Sequence, residues 1–103
     1  MSSIKIRSKR LADFTLVRTL IAHPMETGKR KDEETGELVA AHFIQTLSFK
    51  HNDQLMSQCQ MGFGVSKNPF FSFHIKSAQP GDKVTISWED NLGYQDTAEH
   101  IIR

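Results

Sequence analysis

The fold of this chain is decided by Lys83-Val84-Thr85-Ile86-Ser87-Trp88-Glu89. Polar and apolar side chains alternate along this segment, which is the period of a β-strand that buries one of its faces. Similar segments recur between groups of Gly, Pro, Asn and Asp, a spacing typical of an all-β, immunoglobulin-like β-sandwich of about seven strands. We predict strands at Ser3–Arg7, Phe14–Ala22, Leu38–Lys50, Leu55–Phe63, Phe70–Ser77, Lys83–Glu89 and Tyr94–Ile102.

The same alternation predicts which side chains face the core. The inward rows are Phe43, Leu47 and Phe49; Leu55, Cys59, Met61 and Phe63; Phe71, Phe73 and Ile75; and Val84, Ile86 and Trp88. Cys59 is therefore expected to be buried, where the thiolate is disfavoured and the thiol is unreactive. Phe70 should point away from Phe71 and Phe73, which leaves an apolar side chain for a partner.

The composition favours a single domain, residues 1–103, with a core that needs no disulfide. Thirteen Lys and Arg stand against twelve Asp and Glu, so the net charge of +1 gives no overall field for nucleic acid or a membrane surface. The single cysteine cannot form an internal disulfide. No apolar run has the form of a secretory signal or the ~20 residues of a membrane span, so we expect a soluble chain that does not enter the general secretory route alone.

A long charged connection separates the second and third predicted strands. It begins with His23-Pro24-Met25-Glu26-Thr27-Gly28 and continues through the charged segment Lys29–Glu37. Loops longer than ~12 residues in small domains are often binding loops. Met25 has no evident core partner in the sequence pattern, so we expect it to fill an apolar pocket at a contact surface. Glu26 is expected to accept hydrogen bonds or to pair with a cation, and Pro24 with Gly28 to set the backbone.

The second predicted strand suggests a further contact surface, whereas the basic residues of the first strand are read as a solvated face rather than as a site for a polyanion. Basic residues alternate with Ile4, Ile6 and Ser8, as on a half-exposed strand; these are Lys5, Arg7, Lys9 and Arg10. The next strand is apolar on both faces, with Phe14, Leu16 and Leu20 opposite Val17 and Ile21. One of these faces is a candidate for the partner side, unless the strand is covered on both sides.

Three segments resemble the SoxZ family, the Z subunit of the sulfur-oxidation carrier complex. They are His23–Gly28 with the following Lys31-Asp32, then Asn68-Pro69-Phe70 with Phe73, and finally Trp88-Glu89-Asp90-Asn91-Leu92-Gly93. The resemblance places the partner-binding candidates at His23, Pro24, Met25, Glu26, Thr27, Gly28, Asn68, Pro69 and Phe70. It implies no catalytic residue, no cofactor and no metal.

What the resemblance implies is a structural subunit of a periplasmic heterodimer in thiosulfate oxidation. The SoxY-like partner would hold sulfur intermediates on the cysteine of a flexible Gly-rich arm, and cytochromes and other sulfur-oxidation enzymes would bind transiently. Export together with that partner would explain the missing signal peptide. No contact with nucleic acid or a membrane is implied.

Two alternatives come from other classes of protein. Five histidines and one cysteine could form a metal site like that of superoxide reductases, but His23, His42, His51, His74 and His100 contain no short ligand pair and are read as scattered surface or edge residues. A homodimeric interaction module with the same fold stays an open alternative, because composition alone does not distinguish it from a heterodimer subunit.

Overall fold

A computed structural model describes residues 3–61 and 65–103, which form seven strands and no helix. The strands are β1 Ile4–Arg10, β2 Thr15–Ile21, β3 Ile44–His51, β4 Gln54–Gln60, β5 Phe70–Ile75, β6 Lys83–Asp90 and β7 Gln95–Ile101. They form a three-stranded sheet in the order β1-β2-β5 and a four-stranded sheet in the order β4-β3-β6-β7, with all neighbours antiparallel. The predicted all-β, immunoglobulin-like architecture is confirmed.

The core lies between the two sheets. Of the predicted inward residues, Leu47, Phe49, Ile75, Val84, Ile86 and Trp88 are buried, while Phe43, Met61, Phe71 and Phe73 are half-buried against them. Stacking of Phe49 on Phe73, with ring centroids 4.3 Å apart, joins the sheets directly. Phe63 lies outside the described residues.

The predicted burial of β4 is wrong. Cys59 is exposed, and the side chain of Leu55 is 51% exposed. The reason is that β4 is the edge strand of the larger sheet, and the opposite sheet has only three strands with which to cover it. Alternation shows which residues share a face, but it does not show whether another sheet covers that face.

This exposure reverses the expected chemistry of Cys59. A thiol-disulfide reagent such as Ellman's reagent should reach the Cys59 thiol in the native protein, so native and urea-unfolded chains should label at rates within about tenfold of each other. The labelling is followed by absorbance at neutral pH. A native rate slower by about a thousandfold would show that Cys59 is buried after all.

The predicted third strand begins too early. Residues 38–43 are not part of β3; they form one side of a loose hairpin through the isolated bridges Lys31↔Leu38 and Glu26↔His42. The tip of this hairpin is the charged segment, where the Gly36 amide donates to the Asp32 carbonyl at 2.8 Å. The prediction of a solvated connection between the second and third strands is therefore correct, but the connection is longer than predicted, because β3 begins only at Ile44. Nowhere in the described ranges is there a helix with the length and hydropathy of a membrane span.

Candidate functional site

The structure brings two of the sequence-predicted segments together. The His23 amide donates to Asn68 Oδ1 at 3.0 Å, and the Asn68 amide donates to the His23 carbonyl at 2.9 Å. The next bond in this direction runs from the Ile21 amide to the Pro69 carbonyl, at 3.0 Å. Residues 68–69 therefore extend the pairing of β5 with the end of β2, and Phe70 lies on the outside at 59% exposure, as predicted.

A buried carboxylate organises the other side of His23. Asp90, at the end of β6, is 2% exposed. Its Oδ2 accepts from His23 Nε2 at 3.1 Å and from His42 Nε2 at 2.6 Å. Its Oδ1 accepts from the amides of Leu92 and Tyr94, at 3.0 and 2.9 Å. We refer to Asp90, His23 and His42 as the His–Asp cluster.

The charge state of the His–Asp cluster follows from these bonds. Burial by itself would raise the pKa of Asp90, but the hydrogen bonds from His23, His42 and the turn amides outweigh it and lower that pKa below its usual value. An ionised carboxylate can only accept hydrogen bonds, so both Nε2 atoms carry protons. All the hydrogen-bonding capacity of Asp90 is thus directed at groups of its own chain.

The cluster is the one place in the described residues where histidine and acidic side chains could hold a metal ion, because its three ligand atoms lie within 4.8 Å of one another. The expectation of scattered histidines is therefore wrong for His23 and His42. A metal-bound imidazole nitrogen needs a free lone pair, however. The Met25 amide donates to His23 Nδ1 at 3.1 Å, which fixes the proton of neutral His23 on Nε2. The observed bonds are those of a hydrogen-bonded cluster, and a metal ion would have to break them.

An open cavity of about 470 Å³ lies beside the His–Asp cluster. His42 reaches it with a side chain that is 26% exposed, and the ring of Tyr94 lies 5.9 Å from that of His42. The same cavity is lined by Ser3, whose Oγ donates to Asp96 Oδ2 at 2.6 Å and accepts from Trp88 Nε1 at 3.0 Å. Hydrogen bonds from the hydroxyl and the amide of Ser3 lower the pKa of Asp96, so this part of the cavity is also negatively charged at neutral pH. The cavity can offer ring faces and acceptors, but its charge disfavours anions.

The expectation that Met25 has no core partner is wrong. Met25 is 6% exposed, belongs to the buried core of its own chain, and accepts a hydrogen bond from the Ile44 amide on Sδ at 3.4 Å. The backbone explains the error, since Met25 has a φ of 48°, a left-handed conformation that turns its side chain inward. A sequence pattern that assumes extended backbone cannot place such a residue.

Apart from the buried His23 and Met25, the residues of the predicted loop are exposed or half-buried. Glu26 forms an exposed ion pair with Arg30, with Oε1 2.7 Å from Nη2, and the hydrogen bond from Arg30 lowers the pKa of Glu26. The expected cation is thus supplied by the same chain. Pro24 is exposed, and Thr27 Oγ1 accepts from the Lys29 amide at 3.1 Å.

Gly28 is held in a conformation that other residues adopt only with strain. Its φ is +86°, and a Cβ at this position would lie 3.2 Å from Ala41 Cβ. We expect Gly28→Ala to destabilise the protein by about 1–2 kcal/mol, measured by urea unfolding. Gly36→Ala is the matched control, because Gly36 has a φ of +73° but nothing within 4 Å of the added Cβ. Equal losses in both variants would show that the contact with Ala41 contributes nothing.

Comparison with protein families adds the observation that decides the assignment. The sequence model described as "Sulphur oxidation protein SoxZ" matches residues 4–100 of the 103-residue chain. The chain belongs to the SoxZ family. A comparison with curated protein sequences found no significant match.

SoxZ membership gives the protein a role in sulfur oxidation. The matched region includes all seven strands except the last residue of β7, together with the loop and the His–Asp cluster. Sequence reasoning on this SoxZ chain identified His23 but missed His42 and Asp90 as its partners. The one available signal was Asp90-Asn91-Leu92-Gly93, which marks Asp90 as a turn residue and does not reveal the two imidazoles.

Proposed function

We propose that the chain is the non-catalytic structural subunit of a SoxYZ heterodimer in the oxidation of thiosulfate and other inorganic sulfur compounds. The observation that carries this proposal is the family match over residues 4–100. In this proposal a SoxY-like subunit holds the sulfur substrate on the cysteine of its carboxyl-terminal arm. The present chain supports that subunit while cytochromes and other sulfur-oxidation enzymes act on the substrate.

Two features of the described residues favour a structural role over one in which this chain carries sulfur or catalyses a reaction. The thiol of Cys59 lies within β4, whose backbone is paired with β3, so it is not on an arm that could move between enzymes. The best candidate for proton transfer, the His–Asp cluster, directs its carboxylate at four hydrogen-bond donors of the same chain. Both features fit a subunit that organises its partner.

The decisive experiment is co-expression with a carrier protein that ends in a Gly-Gly-Cys-Gly-Gly sequence and comes from the same genome. Native mass spectrometry of the purified material should show a one-to-one complex, with sulfur adducts only on the carrier subunit. A homodimer without carrier would instead support the interaction-module alternative. A stoichiometric metal ion that is lost in His42→Ala would support metal binding by the His–Asp cluster.

We also propose that the complex works in the periplasm, an inference that rests on the family resemblance alone. Fractionation of the source cells should recover both subunits with periplasmic markers. Recovery with cytoplasmic markers would contradict this part of the proposal without affecting the heterodimer.

A further inference from the structure

The outer face of the three-stranded sheet is a mixed basic and apolar surface. Alternate residues of β1, β2 and β5 point away from the core, and the strand register aligns them in rows across the sheet. The rows are Lys5, Leu20 and Phe70; Arg7, Arg18 and Ser72; and Lys9, Leu16 and His74. We refer to these residues as the basic face.

The charges of the basic face have one sign. It carries the cations Lys5, Arg7, Lys9 and Arg18 and no Asp or Glu. Within the described ranges none of these cations forms an ion pair, whereas Arg30 and Lys83 do so elsewhere on the surface. Arg7 and Arg18 are direct cross-strand partners. Like charges opposite each other destabilise a sheet, so the isolated chain retains an arrangement that a negatively charged partner would relieve.

The basic face also exposes apolar area at one end. Phe70 is 59% exposed and Leu20 is 41% exposed. With Lys5, Arg7 and Arg18 they line a shallow groove of about 360 Å³. Protein–protein interfaces combine apolar side chains with polar and charged ones and are enriched in aromatic residues and Arg, and this end of the basic face has that composition.

The charge and shape of the basic face distinguish between the molecules that could cover it. A second copy related by a two-fold axis would bring the cations of one face against those of the other. A single-stranded nucleic acid would need successive aromatic rings for its bases. Leu16 and Leu20 are aliphatic, and the His74 ring is already stacked on Phe14 with centroids 4.5 Å apart. A protein surface with carboxylates around apolar side chains matches both the positive charge and the apolar groove of the basic face.

We propose that the basic face docks a partner protein whose contact surface places Asp or Glu side chains around apolar residues. This inference rests on the proposed function and identifies the SoxY-like subunit as that partner. Its carboxylates pair with Arg7 and Arg18, and its apolar side chains cover Leu20 and Phe70. The basic face does not include the His–Asp cluster, since Asp90 ends β6 in the other sheet and His23, which follows β2, is buried.

Arg18→Glu separates docking from folding because the two effects have opposite signs. In the isolated chain the new carboxylate lies opposite Arg7, so the melting temperature should stay the same or rise. In the complex it faces the carboxylates of the partner, so Kd should increase about thirtyfold, measured by calorimetry at low salt. Lys50→Glu is the matched control, since Lys50 is exposed on β3 of the other sheet and undergoes the same change of charge. It should leave Kd unchanged.

Phe70→Ala tests the apolar part of the same surface. Removing an exposed ring that becomes buried on docking should weaken the complex by about tenfold, with little change in the melting temperature of the isolated chain. Leu55→Ala is its control, because Leu55 is 51% exposed on the edge strand β4, away from the basic face.

The outcomes separate this inference from the proposed function. If the wild-type complex forms and both Arg18→Glu and Phe70→Ala bind as the wild type does, the basic face is not the docking surface and the heterodimer stands. If no complex forms with the carrier protein, both are overturned. If phosphatidylserine vesicles or oligo(dT) bind the wild type but not Arg18→Glu, while carrier binding is the same in both, the basic face serves a polyanion and the inference is wrong.

Discussion

Asp90→Ala is expected to lower the free energy of unfolding more than any other single substitution at the site. The substitution leaves His23 Nε2, His42 Nε2 and the amides of Leu92 and Tyr94 without their acceptor. Losing one partner of a buried, hydrogen-bonded charge costs about 3–5 kcal/mol, because several donors lose their acceptor at once. For a domain of ~100 residues a loss of ~3 kcal/mol lowers the melting temperature by about 12–24 °C.

The loss is measured by urea unfolding of Asp90→Ala at pH 7. Asp90→Asn is the matched control, because the amide keeps the shape and one acceptor oxygen, so it should lose less stability than the alanine variant. Asp13→Ala controls for the removal of a carboxylate at an exposed position and should be close to wild type. An alanine variant as stable as wild type would show that these hydrogen bonds add nothing beyond those made with water in the unfolded chain.

The effect of Asp90 also has a definite pH dependence. Its pKa is lower in the folded protein than the ordinary value of 3.8. A group whose pKa is depressed by folding contributes stability above its unfolded pKa and loses it as the pH falls through its folded pKa. The difference in stability between wild type and Asp90→Ala should therefore be complete above about pH 5 and should shrink below about pH 4. A difference that grows in acid would contradict a lowered pKa for Asp90.

The fold could be predicted because its information is local. The alternation in β6 places Val84, Ile86 and Trp88 on one face, and that face is buried. Turn residues act locally as well, since Asn52 and Asp53 adopt the positive φ values, 51° and 68°, that their side chains tolerate. What the sequence could not show is the unequal size of the sheets, which leaves β4 uncovered.

The candidate site was only half predictable, because it depends on long-range register. His42 lies 48 residues from Asp90 in sequence, and His23 lies 67 residues away. His42 meets Asp90 because β3 pairs with β6 so that Ile44, two residues after His42, aligns with Asp90, whereas His23 reaches Asp90 from the end of β2 in the other sheet. The hydrophobic periodicity of the segments around His42 and Asp90 does not predict how β3 and β6 align. A search for metal-ligating residues that are close in sequence therefore misses His23 and His42, which only the folded structure brings together.

Met25→Ala is expected to reduce stability by about 2–3 kcal/mol, because it removes most of a buried side chain from the core and leaves a cavity. Glu26→Ala should leave the melting temperature nearly unchanged, since the pair it forms with Arg30 is exposed. Thermal unfolding of the two variants measures both effects. Met25→Leu keeps the volume and should recover most of the loss, although it removes the Sδ acceptor of the Ile44 amide.

The two variants then separate a contact role of the loop from a structural one. Carrier binding should be measured at a temperature at which all variants are folded. If Met25 is only a core residue, Met25→Ala should bind the carrier normally once the folded fraction is taken into account. If the loop touches the partner through its exposed residues, Glu26→Ala should weaken binding although it leaves the fold intact. If folded Glu26→Ala binds the carrier normally and Arg18→Glu binds it weakly, the carrier contacts the basic face and not the loop.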